Sequence, residues 1–127
     1  MHILLNYPYH FNISHSKKYT VVAVSDRPTG VDVEVIRPFS ASAAAKHLSE
    51  AEKEYIVLDD IPEKRNERFF KLWCAKEAVY KYLSKPGTEL KGGIVLNMLG
   101  GKTVETVHGL KLHFNKFNNL ILTIAEM

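Results

Sequence analysis

The sequence predicts an α+β fold in which an antiparallel sheet packs against about three helices. Two observations support this prediction: β-branched and aromatic runs bounded by turn residues occur toward both ends of the chain, and helix-forming patterns fill residues 40–84 between them. With 127 residues, of which 46% are hydrophobic, the chain can bury a substantial core. We therefore expect residues 1–127 to form one domain.

Composition argues against several classes of protein. No run approaches the ~18 consecutive apolar residues of a membrane-spanning helix, and no basic run indicates binding to nucleic acid. The only cysteine is Cys74, so we expect no internal disulfide and a reducing, cytoplasmic location. The formal net charge of +3 is compatible with an acidic partner or a phosphate ligand.

After a short strand or edge segment in residues 1–10, two further strands are predicted before the helical region, at residues 19–24 and 31–36. Residues 25–30 between them contain Asp, Pro and Gly, which favour a turn, and Gly30 is free to adopt a positive φ. We therefore expect the two strands to pair with each other as a hairpin.

The second strand places two carboxylates side by side. Because side chains alternate between the faces of a strand, Asp32 and Glu34 share one face and the neighbouring valines share the other. Their Cβ atoms are expected about 7 Å apart, which is near enough to ligate one cation. The alternative is that both carboxylates belong to the solvated outer face of a half-buried sheet.

Three helices are predicted next, at residues 40–47, about 48–58 and about 61–84. Ser49 and Glu52 have the spacing of a capping box, which marks the start of the second helix. Beyond the helices, short strands at residues 104–107, 111–114 and 120–125 are predicted to form a meander. Asn118 and Asn119 are predicted to form its last turn.

The third helix carries charges among its large apolar residues. Lys76 and Glu77 fall within the apolar arc of the helix, and Lys81 lies at its edge. A charge buried there without a partner is costly, so these charges need partners. One interpretation is a Lys76–Glu77 ion pair at the edge of the core. The other is that Glu77 and the lysines face a cation or a polyanionic ligand, which together with the strand carboxylates describes a Mg²⁺ and polyphosphate site.

Four segments of the sequence resemble motifs of a known enzyme family. GVDVE at residues 30–34 and WCAKEAVYK at 73–81 resemble the two signature motifs of the 4′-phosphopantetheinyl transferase superfamily. FNISHS at residues 11–16 and LSEAE at 48–52 resemble segments of its surfactin-synthetase-activating branch. The resemblance implies the fold of these enzymes, here as a single half-unit.

The resemblance also implies an activity. These enzymes transfer the 4′-phosphopantetheine arm of coenzyme A to a serine of an apo acyl or peptidyl carrier protein and release adenosine 3′,5′-bisphosphate. The transfer depends on Mg²⁺, and coenzyme A is the co-substrate. A catalytically reduced homologue that binds coenzyme A or a carrier protein without turnover is the alternative.

The motifs assign roles to individual residues by resemblance. Asp32, Glu34 and Glu77 are expected to hold Mg²⁺ against the coenzyme A pyrophosphate. Glu77 or a metal-bound water is expected to take the proton from the attacking serine. Such positioning and charge stabilisation account for most of the catalysis in phosphoryl transfer.

Four residues are expected to contact coenzyme A on the same resemblance. Lys76 and Lys81 neutralise phosphate charge, and Lys81 also counts among the catalytic residues. Ser14 and His15 form hydrogen bonds with phosphate oxygens, with His15 assigned to the 3′-phosphate.

The length of the chain departs from this pattern. Surfactin-type enzymes are about twice as long and consist of two similar halves with coenzyme A between them. The holo-acyl-carrier-protein synthases have about this length and close their sites by trimerisation, but they lack the FNISHS segment. We therefore expect a homo-oligomer, a dimer or trimer, that completes the coenzyme A cleft.

Overall fold

The computed structural model describes the backbone of residues 2–3, 9–83, 96–99, 102–106 and 109–127, and the side chains of 9–83 and 109–127. The strands are β1 His2–Ile3, β2 His10–Ser16, β3 Tyr19–Ser25, β4 Gly30–Val35, β5 Leu96–Leu99, β6 Lys102–Thr106, β7 Lys111–Phe117 and β8 Leu120–Glu126. The helices are α1 Ala41–His47, α2 Glu50–Val57 and α3 Pro62–Leu83. The predicted α+β class is confirmed.

The helices begin where the sequence predicts, because each short helix has a serine cap. The Ser40 side chain accepts a hydrogen bond from the backbone N–H of Ala43 at the start of α1. Ser49 and Glu52 form the predicted capping box at the start of α2, which satisfies two backbone N–H groups that the helix itself leaves unpaired. No helix in the described part of the chain has the length and apolar character needed to cross a membrane.

The strands form two sheets, with the orders β1-β2-β3 and β4-β8-β7-β6-β5. The predicted hairpin between residues 19–24 and 31–36 is wrong. β3 pairs instead with β2, across a turn in which Lys17 has a φ of 56°, and β4 pairs with β8. The turn residues after β3 therefore carry the chain from one sheet to the other, because a turn signal marks a change of direction and does not identify the partner strand.

The last three strands form the predicted meander. β7 lies between β6 and β8, and all the pairings are antiparallel. Asn118 has a φ of 54°, a conformation that asparagine adopts more readily than most residues. The predicted turn at Asn118 and Asn119 is confirmed.

Helix α3 packs across β4 and β8, and Gly30 permits the closest approach. Gly30 does not have the positive φ that the turn signal suggested. A Cβ atom at this position would instead collide with the backbone carbonyl oxygen of Ala78 and lie 2.8 Å from the backbone nitrogen of Tyr82. Glycine is required here because the helix backbone lies directly against the strand.

Both faces of β4 are covered. On one face Asp32 lies under α3, and on the other face Val31 and Val33 are buried where β2 and β3 contact β4. This arrangement excludes the alternative in which the carboxylates of the strand form a solvated outer face.

Candidate functional site

Strand β2 is attached to β4 by side chains. The oxygens of Asn12, Ser14 and Ser16 accept hydrogen bonds from the backbone N–H groups of Val31, Val33 and Val35, respectively, at 3.0, 3.2 and 3.4 Å. The spacing of two residues on each strand keeps the two runs in register, because alternate side chains of β2 point to the same side. We call this arrangement the side-chain ladder.

Asp32 lies beside the middle rung of this ladder and is almost fully buried. Its Oδ1 atom accepts hydrogen bonds from the Ser14 hydroxyl at 2.8 Å and from Lys81 Nζ at 3.3 Å. Its Oδ2 atom is buried and has no hydrogen-bond partner among the described residues. Burial raises the pKa of Asp32, and the bonds from Ser14 and Lys81 act in the opposite direction.

Glu34 forms an ion pair with Arg37, three residues later in the chain. Arg37 Nη1 lies 3.4 Å from Glu34 Oε2, and the Arg37 guanidinium stacks over the ring of Phe70 at 4.3 Å. Burial and the negative charge of Asp32 raise the pKa of Glu34, while Arg37 and Trp73 lower it.

Glu77 projects from α3 into the same region. Burial and repulsion by the carboxylates of Asp32 and Glu34 raise its pKa to about 7, although Lys81 opposes the shift. Because the carboxylates of Asp32 and Glu34 both repel Glu77, the three groups lie in one neighbourhood, although among the described residues they are not close enough together to form a metal-ligand group.

Lys81 connects three elements. From α3 its ammonium group contacts Asp32 on β4 and, at 3.4 Å, the backbone oxygen of Ile13 on β2. About a quarter of the side chain, 27%, is exposed. The cation therefore sits at the rim of the carboxylate cluster, within reach of an anion that approaches from solvent.

The donor set fits a hard divalent cation in its chemistry. Mg²⁺ prefers carboxylate oxygens, and the Oδ2 atom of Asp32 has no hydrogen-bond partner among the described residues, although it is itself buried. A dication would also relieve the repulsion that raises the pKa of Glu77. As they stand, however, no three His, Cys, Asp or Glu side chains within the described residues form a complete metal-ligand group.

Lys76 contacts α1 and α2. Its side chain is fully buried, and its ammonium group is 2.6 Å from Glu52 Oε1 on α2 and 3.0 Å from the backbone oxygen of His47. The ion pair with Glu77 considered from the sequence is therefore wrong. The burial also disagrees with the expected contact between Lys76 and phosphate, because a fully enclosed cation cannot meet a ligand in solvent.

Ser14 and His15 lie on opposite faces of β2. Ser14 is buried against β4, whereas His15 is exposed. Alternation along the strand separates adjacent side chains, so the structure does not bring the two residues together as a joint phosphate contact. The contacts of Ser14 are with Asp32 and Val33.

Sequence reasoning missed the residues that orient the site. Arg37 holds Glu34, and Glu52 neutralises Lys76. The sequence indicated Glu52 only as part of a helix cap, so its contact with Lys76 was not predicted. The alternation of Asn12, Ser14 and Ser16 was the available signal for the side-chain ladder, because three polar residues at a spacing of two share one face of a strand.

Comparison with known proteins agrees with these motifs. The sequence profile of the 4′-phosphopantetheinyl transferase superfamily matches residues 28–119. The chain is 39% identical over 77 residues to 4′-phosphopantetheinyl transferase psf-1 of Bacillus pumilus, which is 61% of this chain and 33% of the relative. It is 34% identical over 76 residues to 4′-phosphopantetheinyl transferase Sfp of Bacillus subtilis strain 168, which is 60% of this chain and 34% of the relative. The chain spans about half the length of these relatives.

The fold has a counterpart among solved structures. The crystal structure of holo-[acyl-carrier-protein] synthase from Neisseria meningitidis superimposes with a TM-score of 0.52 at 18% identity, over 79% of this chain and 98% of that one. The likeness in fold agrees with the profile match over most of the chain. The chain belongs to the 4′-phosphopantetheinyl transferase superfamily.

Proposed function

We propose that this protein transfers the 4′-phosphopantetheine arm of coenzyme A to a serine of an apo acyl or peptidyl carrier protein. The observation that supports the proposal is that Asp32 and Glu34 lie near enough to Glu77 to repel its carboxylate, beside the partly exposed ammonium group of Lys81. Such a group of charges suits a polyphosphate that arrives with a divalent cation.

Asp32, Glu34 and Glu77 are the residues that would hold Mg²⁺. When bound, the dication would neutralise charge on the pyrophosphate of coenzyme A. The buried, unpaired Oδ2 atom of Asp32 supports this assignment, because a buried carboxylate oxygen without a partner is costly unless a ligand satisfies it.

Glu77 is the proposed general base. The serine oxygen forms a bond to the β-phosphorus while the bond from that phosphorus to the bridging oxygen breaks, and adenosine 3′,5′-bisphosphate leaves. The serine proton passes to the Glu77 carboxylate.

Lys81 and His15 are the proposed contacts to coenzyme A. Lys81 is already fixed by Asp32 and by the Ile13 backbone oxygen, so its charge is oriented before a phosphate arrives. His15 is exposed on β2, where it can meet the 3′-phosphate. Lys76 and Ser14 are not included, because both are buried and engaged in other contacts.

We further propose that the protein forms a dimer or trimer. Ile13 and Val22 pair directly across β2 and β3, and both side chains are exposed together with Val24 on the same face. Exposed apolar side chains that adjoin one another favour association. The buried state of Cys74, the only cysteine of the sequence, is consistent with the cytoplasmic location that we propose.

Intact mass spectrometry tests the activity. The protein is incubated with coenzyme A, Mg²⁺ and a panel of apo carrier proteins, with Asp32→Ala as a matched variant. We expect a phosphopantetheine-sized mass gain on at least one carrier protein, and none with Asp32→Ala even though its circular dichroism shows a folded chain. Coenzyme A binding without a mass gain on any carrier would favour the reduced homologue. Full activity of Asp32→Ala would remove the metal assignment.

A further inference from the structure

The chain contains two hairpins of the same design. β2–β3 and β7–β8 each join two strands of seven residues. A two-residue turn closes each hairpin, and the first residue of that turn has a positive φ, 56° at Lys17 and 54° at Asn118. The second strand of the first hairpin, β3, therefore corresponds to the second strand of the other, β8.

The outer edge of β8 shows what this position holds when it is filled. β4 pairs there with β8 in the antiparallel sense, while β7 pairs with β8 on the other side. By contrast, β3 is a border of the three-stranded sheet, and no described element pairs with its outer edge. The first hairpin thus has an open strand position where the second hairpin holds β4.

The alternation of hydrogen bonds identifies the backbone groups on this open edge. The three N–H groups of β4 that bond to the side-chain ladder point away from β8. The other residues of β4 therefore bond to β8, at positions one, three and five residues after Leu120. The same positions of β3, counted from Tyr19, are Thr20, Val22 and Val24. All three residues are exposed, so their N–H and C=O groups form the open edge.

A groove of about 380 Å³ runs along this edge. Residues 21–25 of β3 form one wall, and because consecutive residues point to opposite faces of a strand, only an edge can present all of them. Leu122 and Ile124 of β8 line the opposite side. The groove therefore combines an open backbone edge with apolar side chains, which are the two surfaces that an added strand uses.

β3 lacks the features that protect edge strands in natural proteins. Its sequence, YTVVAVS, contains no charged residue and no proline, and Val22 and Val24 are 59% and 61% exposed. Edge strands normally carry lysine, proline or a bulge, because an unprotected edge pairs with other chains. An unprotected edge beside an apolar groove indicates a surface that another strand covers.

We propose that the outer edge of β3 is a strand-binding site, which takes an extended segment of another protein antiparallel to β3. The segment has β-branched apolar residues at alternate positions, which lie over Leu122 and Ile124. A second copy of β3 does not suit the groove, because β3 is paired along its whole length with β2 and β8 closes the far side to a hairpin. The inference is independent of the proposed transfer reaction, and the outer face of β2 and β3 stays available for self-association.

Amide hydrogen exchange of the full chain, followed by NMR, tests this site. The probe is the blocked peptide Lys-Thr-Val-Thr-Val-Thr-Lys, and its control is the same peptide N-methylated at every valine and threonine, which keeps the side chains and removes the donors. We expect the amides of Val22 and Val24 to exchange about tenfold more slowly with the probe than without it, and the control peptide to have no effect. The amides of Val21 and Ala23, which face β2, are the internal reference.

A pair of variants tests the edge from the side of the protein. Val22→Pro removes one outward N–H group and should abolish the protection of Val24, because proline is tolerated on an open edge but cannot donate to an added strand. Val22→Thr is the matched control and should retain the protection. Should Val22→Pro fail to fold, the comparison of the two peptides decides the question alone.

Three results would overturn the inference. The first is the same exchange of Val22 and Val24 with and without the probe, up to the solubility limit of the peptide. The second is slow exchange of both amides in the protein alone at every protein concentration, which would show that the chain covers its own edge. The third is slow exchange that appears only at high protein concentration, which would show that a second copy occupies the groove.

Discussion

The ammonium group of Lys76 lies 2.6 Å from a carboxylate oxygen of Glu52, and neither side chain is exposed to solvent. The pair joins α2 to α3 at the level of the capping box, since the same Glu52 oxygen also accepts from the backbone N–H of Ser49 at 2.7 Å. The lysine of the second signature motif thus has a structural partner that lies 24 residues earlier in the chain.

Breaking this pair is expected to destabilise the fold. Lys76→Met leaves Glu52 buried without its counter-charge, and we expect a loss of about 3 kcal/mol in the free energy of unfolding, measured by urea denaturation. The double variant Lys76→Met/Glu52→Gln removes both charges and keeps an acceptor for the cap, so most of the loss should be recovered. An unchanged stability of Lys76→Met together with weaker coenzyme A binding would contradict this and favour the phosphate contact.

Gly30→Ala is expected to disturb the contact between β4 and α3. The new Cβ atom meets helix backbone at Ala78 and Tyr82, which cannot rotate away as a side chain can, and we expect a loss of about 2 kcal/mol or more. Gly109→Ala is a useful comparison, since Gly109 has a φ of 77° but open space around it. That variant should lose only about 1 kcal/mol, through backbone strain alone. Thermal unfolding of both variants would show the difference, and a harmless Gly30→Ala would contradict the close approach.

Glu77 is expected to make stability depend on pH. Its pKa is raised from 4.5 to about 7 in the folded chain, so between these values the folded state binds more protons than the unfolded state. Stability therefore falls as pH rises through this window. In EDTA, Glu77→Gln should flatten the decline and gain on the order of 1 kcal/mol at pH 8, after allowance for solvent screening. Urea denaturation at several pH values measures this, and parallel curves for the two proteins would contradict it.

Self-association is expected to depend on the exposed face of β2 and β3. Val24→Lys places a charge on that face and should shift the protein to a monomer in size-exclusion chromatography with light scattering. Val57→Lys on α2 is a matched control, because the two valines are similarly exposed, at 61% and 56%. A wild-type protein that is sharply monomeric and still active would contradict the oligomer.

The sequence predicted local structure well where one short segment decides the outcome. The capping box at Ser49 and Glu52, the end of the meander at Asn118 and the helical pattern of α3 each depend on neighbouring residues. The prediction that Asp32, Glu34 and Glu77 lie near one another came from the ordered motifs, because no local rule places a strand beneath a helix some forty residues later.

The failures involve partners that are distant in the chain. The true partner of β4 is β8, at the other end of the chain, and a turn signal after β3 could not reveal it. Strand β2 was hidden because Asn and Ser have low strand propensity; they occur there to bond the backbone of β4. The Glu52 partner of Lys76 was not predicted, because helical periodicity shows which charges face inward and not which residue on α2 receives them.

The side-chain ladder also determines whether another chain can add a strand to the β4 edge of the five-stranded sheet. β4 is one border of that sheet, and a border strand normally offers a row of free amides on which another chain can add a strand. Here the amides of Val31, Val33 and Val35 are already occupied by side-chain oxygens from β2. Side-chain oxygens therefore close the β4 border to strand addition, and a second copy that joins this protein is expected to attach by a sheet face or by another border.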